Sequence, residues 1–156
     1  KYQNIWDRYR NVIGIFIRKT LNGIPILVYG DGEQTRAFSD IQYYMEPFDL
    51  LHDNFDGEIF NIGADKFFTL NKVAETVQSI GKKYGYDVPI EHAEGRHEVK
   101  HAYCNHDKAK TMLGFRDNTK LEELIEDMFV WAMNQPNRKV KDFEYEITDG
   151  IYDYWK

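Results

Sequence analysis

Between Arg8 and Tyr29 the hydrophobic residues change period, and the change restricts the chain to folds that alternate helices with strands. Ile13, Phe16, Ile17 and Leu21 recur at helical spacing over Arg8 to Leu21, with Gly23 placed where a helix-ending glycine belongs. "IPILVYG" follows at once, a β-rich run with Pro25 near its start, which suits a strand entering at a sheet edge. The alternation returns downstream. Thr69 can cap a helix carrying Leu70, Val73, Ala74, Val77 and Ile80 on one face, closed by Gly85. "VPIEH" is the next short strand, and Asp107 caps a short helix ending at Gly114. Thr119 with Glu122 spells a capping box for a final helix with the face Leu121, Leu124, Ile125, Met128 and Trp131, stopped by Pro136.

Three stretches are less periodic. "VYGDGEQTRAF", Val28 to Phe38, reads as two short strands around a turn at Asp31-Gly32. "IQYYMEPFDLLHDNF" is partly helical, with Pro47 interrupting or restarting it. "GEIFNIG", Gly57 to Gly63, reads as a short buried strand between glycines. The sum is a mixed α/β (α+β) unit over residues 1–156, without repeats or a flexible linker.

Composition narrows the class. With 42% hydrophobic and 29% charged residues the chain is globular rather than disordered. No apolar run has the length of a membrane span and no signal-peptide pattern opens the chain. The single Cys104 cannot form an internal disulfide, so a reducing, cytoplasmic setting is the default. A net charge of −6 argues against a nucleic-acid binder, which needs a basic face. Any anion bound here must be held by a few local cations. Tyrosines crowd the C-terminal "DFEYEITDGIYDYWK", an aromatic segment expected to dock on the core.

Two loops carry arginine: "DGEQTR" with Arg36, and "GRHEV" with Arg96 and, two residues on, Glu98. A guanidinium donates paired hydrogen bonds and keeps its charge, which suits phosphate. A nearby carboxylate can accept from sugar hydroxyls. Residue types alone leave a plainer option, in which Arg36 pairs with Glu33 and Arg96 with Glu94 or Glu98 as screened surface bridges. His97 and His101 have the four-residue spacing of helical metal ligands, but they lie in loop and strand, where that spacing does not bring side chains together.

The order and spacing of "GIFIRKTLNGIPILVYGDGEQTRAF", "GEIFNIGADKFFTLNKVAETV", "EGRHEVKHAYCNHDKAKTMLGF" and "LEELIEDMFVWA" resemble the C-terminal, substrate-binding part of NAD-dependent epimerase/dehydratases. These are extended short-chain dehydrogenase/reductases acting on nucleotide sugars, and the UDP-glucose 4-epimerase-like members are most similar. The resemblance implies that Arg36 and Arg96 contact the diphosphate and Glu98 the ribose. By the same resemblance Val28 and Tyr29 lie along the nucleobase, and Asn11 and Val12 line the same cleft.

The family's cofactor elements are missing from this chain. No glycine-rich dinucleotide turn occurs among the eleven glycines. The only literal Tyr-x-x-x-Lys is Tyr152 to Lys156, in the last five residues, and it reads as coincidence. The expectation is therefore a fragment without the Rossmann core, binding a UDP-sugar but not NAD by itself. The missing half would act in cis or in trans, and surface left bare where it docks would promote self-association. The alternative is a catalytically inactive stand-alone binding or scaffold module. Two departures from the family pattern stand out: "DIQYY" after "AFS", and Asn105 where aspartate is frequent, a change suited to a turn or helix cap.

Overall fold

The computed structural model describes residues 3–7, 10–138 and 149. The aromatic C-terminal segment and the Tyr152 to Lys156 pair lie outside the described residues. Helix α1 spans Val12–Leu21 and leads into strand β1, Ile26–Tyr29. Strand β2, Thr35–Ala37, is followed by a 3₁₀ turn, Ile41–Tyr44, and helix α2, Met45–Asp53. Strand β3, Phe67–Thr69, runs directly into helix α3, Leu70–Lys83, and strand β4 covers Ile90–Ala93. Strand β5, His101–Ala102, precedes helices α4, Asp107–Leu113, and α5, Leu121–Met133.

Helix α1 starts later than its hydrophobic period suggests. Asn11 adopts a left-handed conformation at φ 65°, so the regular helix begins at Val12. Its end is a Schellman closure: the N–H of Gly23 donates to the carbonyl of Thr20, and that of Ile24 to Lys19, with Gly23 at φ 67°. The cap of α3 is as expected, with Thr69 accepting from the Lys72 N–H. Pro47 sits in the first turn of α2, where an amide N–H has no helical partner to lose.

Strands β1 and β4 pair in parallel from Ile26↔Ile90 to Tyr29↔Ala93. A separate three-stranded sheet has the order β3-β2-β5, with β2 antiparallel to β3 and parallel to β5. The turn expected at Asp31-Gly32 forms between β1 and β2. Both strands exist, but they belong to different sheets because the turn between them is tied to α3. The Asn71 side chain donates to the carbonyl of Asp31 and to Glu33, and its backbone N–H donates to Gly32. Gly32 is needed there, since a Cβ would lie 1.9 Å from Asn71 Oδ1.

Three local expectations fail. Gly57 to Gly63 is not a strand: Phe60 and Ile62 turn inward as in one, yet its carbonyls take side-chain donors instead of a ladder. Lys108 donates to the Ile59 carbonyl and Tyr44 to that of Ile62. Thr119 does not cap α5, whose N-cap residue is Lys120. Its hydroxyl instead donates to Asp117 and accepts from the Asp40 N–H, joining two loops. Asp107 is not the cap of α4, whose N-cap residue is His106; it opens the first turn, and Asn105 accepts the Asp107 N–H, so the asparagine acts in the helix start.

Two cores result. The larger one packs Ile13, Phe16 and Ile17 of α1 against Ile26 and Val28 of β1, Val73 and Val77 of α3, and Ile125 and Phe129 of α5. The smaller one joins Ala109, Leu113 and Phe115 to partly buried Tyr43, Leu51, Phe55, Phe60 and Ile62. The first core holds α1 beside β1, and the candidate site opens along their shared edge.

Candidate functional site

Alternation along β1 sends Ile26 and Val28 into the core and leaves Leu27 and Tyr29 half-buried on the other face. Helix α1 presents Val12, Ile15, Phe16 and Lys19 along one line, at the i, i+3, i+4 and i+7 positions. Between them lies a cavity of about 230 Å³, whose remaining wall is Leu70, Arg36, Arg96 and Glu98. Its apolar end is built by α1 and β1, its charged end by the two arginine loops. Three cations and one carboxylate line it, so an acidic protein holds a locally positive cleft.

The charged end is assembled by β-pairing. Strands β2 and β5 run parallel, which places the residues just before β5 beside Arg36, 62 residues away from Glu98 in sequence. Arg36 Nη2 donates to Glu98 Oε2 at 2.9 Å, while Nη1 donates to the carbonyl of Thr35. The other Glu98 oxygen accepts from Gln34 Nε2 at 2.9 Å, and the same nitrogen donates to the Tyr29 carbonyl. Gln34 is 7% exposed, so this amide links β1, β2 and the Arg96–Glu98 loop from a buried position. Thr35 Oγ1 and His101 Nδ1 share a further hydrogen bond across β2 and β5.

Arg96 lies over Tyr29, its guanidinium carbon 3.2 Å from the ring centroid, a cation–π contact that ties the arginine to the cleft wall. The loop carrying it crosses the end of β1 closely enough that a Cβ on Gly30 would meet Gly95 Cα at 3.5 Å. Gly30 also sits at φ 69°, a conformation that favours glycine. A second hollow opens on the far side of this loop, bounded by Asp31, Gln34 and Lys100 and sharing Tyr29, Arg96 and Glu98 with the first.

The residues singled out from the sequence separate clearly. Arg36, Arg96, Glu98, Tyr29 and Val12 meet at the cleft. Val28 lines it too, as a fully buried part of the floor, while Leu27 and Tyr29 are half-buried on the other face of β1. Asn11 is exposed at the start of α1 and is not part of the cavity wall. The suggested bridges resolve differently from the plainer option: Arg36 pairs with Glu98, and Glu33 accepts from Asn71 instead. Ile15, Leu27, Leu70 and Lys19 were not foreseen; the period of α1 already placed positions 15 and 19 in line with Val12. Among the described residues no group of three His, Cys, Asp or Glu is arranged to hold a metal.

Known proteins resemble this chain in sequence and fold. A model of the NAD dependent epimerase/dehydratase family matches residues 4–63. A UDP-N-acetyl-alpha-D-glucosaminuronate decarboxylase of Bacillus cytotoxicus is 30% identical over 128 residues, covering 79% of this chain and 40% of that protein. An Arabidopsis thaliana GDP-mannose 3,5-epimerase is 32% identical over 108 residues, 69% of this chain and 28% of its own length. The solved structure of a Thermotoga maritima UDP-glucose 4-epimerase with UDP-glucose superposes with a TM-score of 0.70 at 26% identity. That match covers 83% of this chain and 43% of the epimerase. The chain thus spans less than half the length of these relatives. In its mixed α/β fold, its matched segment and these relatives, the chain is similar to NAD-dependent epimerase/dehydratases of the extended short-chain dehydrogenase/reductase group.

Proposed function

We propose that this chain is the nucleotide-sugar-binding half of an NAD-dependent sugar epimerase or dehydratase, with the cleft beside β1 as its diphosphate site. The observation that carries the reading is the convergence of Arg36, Arg96 and Glu98, from loops 60 or more residues apart in sequence, on one cavity of net positive charge. Arg36 and Arg96 neutralise the diphosphate. Glu98 holds Arg36 in place and accepts from the ribose hydroxyls with its remaining lone pairs. Tyr29, Leu27 and Val12 supply the flat apolar end for a base, with Val28 beneath and Asn11 at the mouth of α1. Uracil is the favoured base. Anchoring at the diphosphate leaves the sugar to be positioned for chemistry by remote binding energy.

The cofactor that the family name implies does not fit the described residues. The glycine turn after β1 leads into a strand rather than a helix N-terminus, and its Gly32 is packed against Asn71. In this reading NAD is held by a Rossmann half supplied in cis or in trans. No helix of the described residues is long and apolar enough to cross a membrane, and a cytoplasmic setting belongs to the same proposal. The scaffold reading draws support from exposed apolar side chains: Phe67 of β3 and Tyr103, just past β5, stack on each other at 59% and 72% exposure.

A calorimetric titration with UDP-glucose, in the absence of NAD, separates the two. Saturable binding that is lost in R36A and R96A supports the nucleotide-sugar site. Equal affinities in the wild type and both variants, or no binding at all, would refute it and leave the scaffold reading.

A further inference from the structure

The cavity contains a cation outside both arginine loops. Lys19 closes the line Val12, Ile15, Phe16 on α1 and is half-buried in the cleft wall. Its backbone is fixed by the helix end: the Lys19 carbonyl accepts from the Ile24 N–H at 2.9 Å and from the Asn22 N–H at 3.1 Å. The next residue, Thr20, is fully buried and donates its hydroxyl to Phe16. The side chain of Lys19 therefore starts from a rigid point and has the cleft as its direction.

We propose that Lys19 is the third cation of this anion site and reads ligand charge, so that phosphate binding and protonation of Lys19 are coupled. The inference rests on the nucleotide-diphosphate reading above and adds a titrating group to it.

The surroundings of Lys19 supply the coupling. Arg18 next to it on α1, Glu91 on β4 and Arg96 in the β4–β5 loop all act electrostatically on its ammonium. Arg36, Glu98 and Tyr29 share the same cavity. Burial, then repulsion from Arg18, holds the Lys19 ammonium below its ordinary 10.5, with Arg96 acting in the same direction and Glu91 against it. A bound diphosphate cancels the surplus positive charge and favours the ammonium. By linkage the protonated cleft binds the anion more tightly, and affinity falls as pH rises through the lysine's titration. Arginine in this position would stay charged throughout.

The test is titration of the full chain with UDP from about pH 7 to pH 10, using the wild type, K19R and K19Q, with R36A as reference. K19R keeps the charge without the titration and cancels the ligand's own pH dependence. The expected result is a wild-type affinity that falls about fivefold further than that of K19R across the range. K19Q is expected to bind about fivefold more weakly already at neutral pH. Superimposable wild-type and K19R profiles, with K19Q equal to wild type and R36A weakened, would overturn the role of Lys19 and leave the diphosphate reading intact. Absence of saturable wild-type binding would overturn both.

Discussion

Glu98 and Asp65 are each gripped by two donors, yet they serve different ends. Glu98 takes Arg36 on one oxygen and Gln34 on the other, and the group forms the wall of a cavity. Asp65 takes Lys110 at 2.5 Å and His106 Nε2 at 2.7 Å, and His106 is 8% exposed with its ring edge-on to Phe115 in the smaller core. Around Glu98, Lys19 and Arg96 leave positive charge in excess. Around Asp65 the partners are spent on one another and fasten the loop before β3 to the start of α4. Ion pairing by itself therefore says little about function. A cavity with uncompensated charge distinguishes the site from the staple.

Substitution at each pair should separate the two roles, beginning with the largest effect. R36A removes charged hydrogen bonds to a bound diphosphate, a loss of about 1.5–3 kcal/mol in UDP affinity. It should scarcely change the urea midpoint, because the Arg36–Glu98 pair is partly solvated. D65A should do the reverse, leaving UDP affinity unchanged and costing about 1–3 kcal/mol of stability as buried His106 loses its partner. Its pH dependence has a definite sign. The hydrogen bond from Lys110, then that from His106, hold the Asp65 carboxyl below 3.8, so its stabilisation is present above that pH in the folded protein. The stability gap between wild type and D65A should stay constant from neutral pH down to about 4, then close on further acidification.

Gln34 joins the two comparisons, being buried like the staple and bonded to the site. Q34L should cost about 1 kcal/mol in urea unfolding and weaken UDP binding a few-fold, because Glu98 and the Tyr29 carbonyl both lose their donor. The smallest effect belongs to Glu33, whose carboxylate accepts from Asn71 at the surface; E33A should shift either quantity by less than about 0.5 kcal/mol.

The same contrast explains what could be read from the residues alone. Helices α1, α3 and α5 were legible because Phe16, Val77 and Ile125 repeat at the helical period on faces that build the larger core. Gly57 to Gly63 was misread because its inward Phe60 and Ile62 mimic a strand while Lys108 and Tyr44 satisfy its carbonyls. Thr119 was misread because a hydroxyl that suits a helix cap also suits a bridge between Asp40 and Asp117. Arg36, Arg96 and Glu98 were recognised through the family resemblance, but the pairing of Arg36 with Glu98 depends on the β2–β5 register, a non-local fact. Lys19 was within reach of periodicity and was passed over because a lysine near a helix C-terminus is usually a solvated, dipole-favoured residue.

A crystal structure of the chain with UDP tests the central claim most directly. The account predicts phosphate oxygens within hydrogen-bonding distance of Arg36 and Arg96, with a ribose hydroxyl on Glu98. A diphosphate bound elsewhere, with the Arg36–Glu98 pair facing an empty cleft, would contradict it.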